Sequence, residues 1–253
     1  MADIVLGTGR WSAAALADEV TNRRAAVRHA TEVLVRSASG LDEISVRQPS
    51  LLPGWSRSHV LTHLARNADA CCNLLLWART GIEHPMYASR EDRDQDIEEG
   101  SSRSHLLLME DLIASSDRFA VAARDMPDSD WTAEVSLSGG DVIPALHVPR
   151  LRLLELWVHL VDLDHDVDFT DIPTADAEML LEDVVQFFGG RLDVPALTLE
   201  VDFGDHRRGW DLRGTTSRPA AVSGEPGPML GWLLGRTGPG ELRGDAPELP
   251  EWL

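Results

Sequence analysis

Two stretches of helical periodicity carry ionisable side chains on faces that must otherwise be apolar, and they constrain this chain more than anything else in it. After the turn Leu52-Pro53-Gly54-Trp55-Ser56, with Ser56 as N-cap, Val60, His63, Leu64, Asn67, Cys71, Leu74 and Leu75 fall on one stripe of a helix running to about Arg79. From about Pro149 to Asp164, a second stripe carries Leu151, Leu154, Glu155, Val158, His159 and Asp162. Good helix formers also fill Ala13 to Val35, stopping near Ser39-Gly40, and Ser104 to Arg124. Four such segments predict a helix bundle whose sites lie between facing helices. Between them, Gly81 to Ser102 is polar and acidic and reads as a long loop, as does the stretch holding Pro127, Gly139-Gly140 and Pro144.

The texture changes near Phe169. A helical stretch from Pro173 to Phe188 ends at Gly189-Gly190, and short alternating runs follow at Leu197 to Phe203, Gly209 to Arg213 and Ala220 to Ser223. A compact helix, Pro228 to Gly235, then precedes Glu241 to Arg243 and a proline-rich tail. The expected fold class is mainly α with a small α/β domain: a helical domain over residues 1–168 and an α/β domain over 169–253.

Composition narrows the chemistry. All 23 basic residues are arginine, which excludes Schiff-base, phosphate-loop and general-base lysines. With 42 acidic residues the net charge is −19, which argues against nucleic acid as a partner. No apolar run reaches the roughly 18 residues that span a bilayer. Met1 to Trp11 lacks the basic and apolar regions of a secretion signal, and the two adjacent cysteines, Cys71 and Cys72, cannot build a disulfide framework. A cytoplasmic protein with no membrane partner is expected.

Glu155 and His159 stand one helical turn apart, projecting roughly 6 Å from each other along one face. An unpartnered carboxylate inside a bundle is costly and tends to take up a proton. Two outcomes resolve this: a hydrogen-bonded Glu–His pair, or a divalent metal that receives both and takes His63 from the facing helix as third ligand. The latter is a His2Glu set with one open position, an arrangement familiar in catalytic zinc sites. His59 is the rival to His63, although a place at the helix N-terminus suits it better, and His165 lies on another face. Asp162 either orients a histidine or sits exposed at the helix end. Cys71 and Cys72 suit core packing, since no fixed cationic neighbour is evident to activate them.

The strings GWSRSHVLTHLARNADA (54–70), HPMYASREDRDQDIEEGS (84–101), RLLELWVHLVDLD (152–164), AVSG (221–224) and GWLLGR (231–236) resemble the mycothiol-dependent maleylpyruvate isomerases, in order and over almost the whole chain. The wider DinB-like metalloenzyme superfamily shares only the helix bundle and metal triad. The resemblance implies a DinB-like four-helix bundle followed by a sterol-carrier-like α/β domain. It also implies zinc on His63, Glu155 and His159, a catalytic arginine at Arg236, and mycothiol as thiol cofactor. The implied reaction is cis–trans isomerisation of maleylpyruvate to fumarylpyruvate in gentisate and aromatic catabolism, by thiolate addition, bond rotation and elimination. A mycothiol S-transferase using the same zinc site is the alternative. An acidic binding protein with a structural metal, or none, is a third reading, disfavoured because structural zinc usually has four ligands. Should Arg236 not grip the anionic substrate, Arg79, Arg90 and Arg150 are the candidates. Tyr87, the sole tyrosine, either lines the site mouth or packs. A monomer or weak homo-oligomer is expected.

Overall fold

The computed structural model describes residues 12–251. The segment read for a secretion signal, Met1 to Trp11, and the terminal Trp252-Leu253 lie outside the described residues. The chain forms two compact units, one extending to Val167 and the other from Asp168 onward.

In the first unit, helix α1 (Ala13–Ser39) starts at Ser12, whose side chain accepts a hydrogen bond from the Ala15 amide at 3.2 Å, and ends at Gly40. Helix α2 (Arg57–Thr80) starts at Ser56, whose amide donates to His59 Nδ1 at 3.2 Å, so the histidine takes the reciprocal role usually filled by a glutamate. It stops where Gly81 adopts φ 68°, the left-handed cap that glycine accepts without steric cost. Helix α4 (His105–Arg124) and helix α5 (Val148–Asp162) complete the set, with Pro149 in the first turn of α5 where no amide is needed. α1 packs on α4 and α5, and α2 packs on the same two, so the four helices close a ring around one core. Leu34, Leu61, Leu64, Leu74, Leu75, Leu112 and Trp157 are fully buried there. Each such leucine contributes roughly 1.5–3 kcal/mol of burial.

Two segments differ from the sequence expectation. Residues 81–102 are not one long loop, because they contain helix α3 (Arg90–Ser101). Its start is well formed: Ser89 accepts from the Asp92 amide at 3.0 Å, and Glu91 and Asp92 complement the helix dipole. Its apolar content is too low for a periodic signal, and tertiary contact supplies the rest. Ile97 is 2 % exposed, and Gly100 lies so close to α2 that a Cβ there would stand 2.4 Å from Thr62 Cγ2. The second expected loop holds a hairpin, β1 (Glu134–Ser136) and β2 (Val142–Pro144), which are too short for alternation to show.

The second unit carries helix α6 (Thr174–Gly189) and a four-stranded sheet of β3 (Leu197–Asp202), β4 (Arg207–Leu212), β5 (Ala220–Gly224) and β6 (Arg243–Gly244). The sheet order is β4-β3-β5-β6, with β3 and β5 parallel and the other pairs antiparallel. Leu197, Leu199 and Val201 alternate inward along β3, as a half-buried strand requires. Helix α7 (Pro226–Leu233) begins and ends two residues before the expected helix, and packs on α6, β3 and β5. The expected short segment Glu241 to Arg243 divides into a 3-10 turn, Pro239–Glu241, and the first residue of β6. Among the described residues, no helix is long and apolar enough to cross a membrane.

Candidate metal centre

Helices α2 and α5 run antiparallel, so the start of one meets the end of the other, and backbone contacts fix that meeting. Arg57 Nε donates to the Leu163 carbonyl at 2.6 Å, and the Leu51 amide donates to the Asp162 carbonyl at 3.0 Å. One turn further in, buried Arg152 reaches across from α5, its Nη1 donating to the Leu64 carbonyl and Asn67 Oδ1, both at 2.8 Å. Between these ties lie His63, Glu155 and His159.

The three side chains converge, each offering one donor atom, with all three atoms within 4.8 Å of one another. Glu155 Oε2 stands 2.8 Å from His63 Nε2 and 3.3 Å from His159 Nε2. The two imidazoles meet edge to face, centroids 4.6 Å apart, and Trp55 packs 5.6 Å from His63. Asp162 is fully buried and its Oδ2 lies 2.8 Å from His159 Nδ1. That carboxylate places a proton on Nδ1 and leaves Nε2 to face the triad, the arrangement by which outer carboxylates orient ligand histidines. Of the two readings open for Asp162, the exposed helix-end acid does not hold.

The electrostatics are those of a buried carboxylate held between two imidazoles. Burial alone would raise the Glu155 carboxyl, but hydrogen bonds from His159 and His63 outweigh it and hold it well below the ordinary value. Burial pushes His63 down to about 4, against the pull of Glu155. Burial also acts to lower His159, yet Asp162 and Glu155 raise it to about 9. The donor set of two imidazoles and one carboxylate, oriented through Asp162, fits a divalent ion such as zinc, with a coordination position left for a further ligand.

His59 is not part of this cluster, since it caps α2 and faces Glu98 Oε2 at 3.2 Å. His165 is exposed. Cys71 is buried, and burial pushes its thiol up to about 12; Cys72 is likewise raised, to about 11.

Residues 27–164 match the family described as the mycothiol maleylpyruvate isomerase N-terminal domain. The chain belongs to the mycothiol-dependent maleylpyruvate isomerase family. Two solved structures extend the likeness beyond that segment. A histidine-to-alanine mutant of a mycothiol-dependent maleylpyruvate isomerase is 31% identical, with a TM-score of 0.84 over 92% of this chain and 97% of that one. A second structure of a mycothiol-dependent maleylpyruvate isomerase gives 31% identity and a TM-score of 0.82 over the same shares. The mainly helical fold with its small sheet is that of these isomerases. No curated protein sequence matches the chain.

Among the arginines, Arg236 lies in the second unit just after α7, where its Nη1 donates to the Leu234 carbonyl at 2.8 Å. Arg79 and Arg90 are exposed, and Arg150 is buried. Sequence reasoning passed over the arginine that does touch the triad. Arg93, on α3, places Nη2 3.3 Å from His63 Nδ1, and its guanidinium lies 5.8 Å over the ring of Tyr87. Tyr87, for which mouth and packing were both open, is half-buried; burial raises its phenol, opposed by the Arg93 charge and hydrogen bond. The one available signal for Arg93 was the i, i+4, i+7 spacing of Arg93, Ile97 and Gly100, a single apolar residue and a glycine.

Proposed function

We propose that this chain is a zinc- and mycothiol-dependent isomerase that converts maleylpyruvate, a dicarboxylate anion, into fumarylpyruvate. The observation that carries this reading is the triad of His63, Glu155 and His159 with Asp162 behind His159, in a chain of this family. The fold assignment that goes with it is a DinB-like four-helix bundle, residues 1–168, and a sterol-carrier-like α/β domain, residues 169–253. The setting is the cytoplasm, and the partners are small molecules.

Bound by the triad, zinc would supply a cationic seat on which the cofactor thiol is held as thiolate near neutral pH. The chain's own residues do the remaining work. Glu155 is the one anionic group of the three, so as a ligand it offsets half of a divalent charge. Asp162 holds His159 in the tautomer that leaves Nε2 free for a ligand role. Trp55 packs against the ring of His63, with 5.6 Å between centroids, and helps fix its orientation. Arg236 is assigned to a substrate carboxylate, as a two-point clamp that also stabilises enolate charge. A protein of charge −19 needs such local cations to admit a dianion.

Metal analysis of the purified chain, with and without His63→Ala, tests the site. Wild type should hold about one zinc and the variant almost none. Turnover of maleylpyruvate should require both zinc and mycothiol. A wild type that takes up no divalent metal, or zinc-loaded protein inert towards maleylpyruvate with mycothiol, would remove this function. Consumption of the thiol by other electrophiles without isomerisation would make the chain an S-transferase instead.

A further inference from the structure

We propose that Arg93, whose guanidinium stands beside the triad, is a second residue that grips a substrate carboxylate there. The inference rests on the function proposed above and identifies a substrate-binding group for it.

The two histidines of the triad differ in the hydrogen bonds they make. His159 gives Nδ1 to a carboxylate, Asp162 Oδ2 at 2.8 Å, so that nitrogen carries a proton and Nε2 is the side left for a ligand. His63 gives Nδ1 to Arg93 Nη2 at 3.3 Å. His159 is thus backed by an anion and His63 by a cation, which sets a guanidinium directly beside the triad.

The other partners of the guanidinium hold it loosely. Nη1 pairs with Asp94 Oδ1 at 2.7 Å, but Asp94 is half exposed, and such a surface pair holds little energy. The Tyr87 ring favours a cation beside it, and the phenol adds a neutral hydrogen-bond partner that does not satisfy the charge. Arg93 retains 23% of its side-chain exposure, so a ligand can reach it. Its backbone is held on a helix rather than a loop, since Ile97 and Gly100, one and two turns along the same face, press α3 against α2. A carboxylate on Arg93 therefore stands against the same imidazole that faces the metal position. A divalent cation on the triad and the guanidinium would together form a two-point seat for an anion.

Maleate, a cis-dicarboxylate, is the probe. Calorimetry on zinc-loaded wild type, metal-free wild type, Arg93→Met and Arg93→Lys measures its binding, and chelator competition measures zinc affinity in parallel. The zinc-loaded wild type should bind maleate and the metal-free form should bind it far more weakly. Zinc-loaded Arg93→Met should lose roughly ten-fold or more in maleate affinity, with part of it restored in Arg93→Lys. Zinc affinity in Arg93→Met should stay level, because Arg93 is not one of the three ligands. Equal maleate affinity in zinc-loaded wild type and Arg93→Met, or no maleate binding to zinc-loaded wild type, overturns the proposal. So does a ten-fold or greater loss of zinc affinity in Arg93→Met, which would make Arg93 a support of the metal site. A wild type that binds no zinc at all instead overturns the function on which this rests.

Discussion

Replacing Asp162 tests how the triad is held. Asp162 is fully buried and touches His159 Nδ1 at 2.8 Å, so Asp162→Asn keeps the shape and an accepting oxygen but removes the charge. Hydrogen bonds to charged groups contribute about 1.5–3 kcal/mol and neutral ones about half that. The asparagine variant should therefore lose about 1–1.5 kcal/mol of metal binding, close to ten-fold in zinc affinity. Asp162→Ala also leaves the Nδ1 proton buried without an acceptor, which adds about 1–3 kcal/mol and brings the loss towards a hundred-fold. Chelator competition on the three proteins should rank them wild type, asparagine, alanine. The metal-free proteins give a second signature. His159 is raised from 6.5 to about 9, so its stabilisation is fully present below 6.5 and is lost as the pH rises through about 9. Urea unfolding of metal-free wild type should show that decline, and Asp162→Asn should flatten it. Zinc affinity in Asp162→Ala equal to wild type would refute the assignment of Asp162 as the orienting group.

Three further outcomes follow from the geometry. Arg236→Ala should bind zinc as wild type does and lose most isomerase turnover; retained turnover would move the second carboxylate clamp elsewhere. Gly100→Ala should cost about 1–3 kcal/mol in unfolding free energy, since the new methyl meets Thr62, itself fixed by a 2.8 Å bond to the Ser58 carbonyl. Cys71 and Cys72, with thiols raised to about 12 and about 11, should resist a disulfide reagent near neutral pH until the chain is unfolded. Fast labelling of either thiol in the native protein would contradict that.

Periodicity carries information where apolar residues are dense, and it was dense on α2 and α5. The stripes therefore placed His63, Glu155 and His159 on inward faces, and the one-turn spacing of Glu155 and His159 already implied that the two pair with each other or share a metal. Helix α3 shows the opposite case. Its twelve residues bury one large apolar side chain, Ile97, beside Gly100 and Ser101, and otherwise read as a solvated acidic run. What seats it against α2 is the missing side chain at Gly100, which admits the Thr62 side chain, and such a contact between separate helices has no signature in one sequence.

Local sequence alone determined which residues could share a face, because helical geometry is a property of consecutive residues. It determined the arginine-only cation set, and with it the exclusion of amine chemistry. The partners of His59 were decided in three dimensions, by the rotation of α2 that turns it onto its own N-cap and Glu98. So were the burial of Asp162 behind His159 and the arrival of Arg93 at His63 Nδ1, from a helix thirty residues away in the chain. Those contacts depend on how separate helices are packed, and packing is fixed by the sum of many side chains at once, which no short motif encodes.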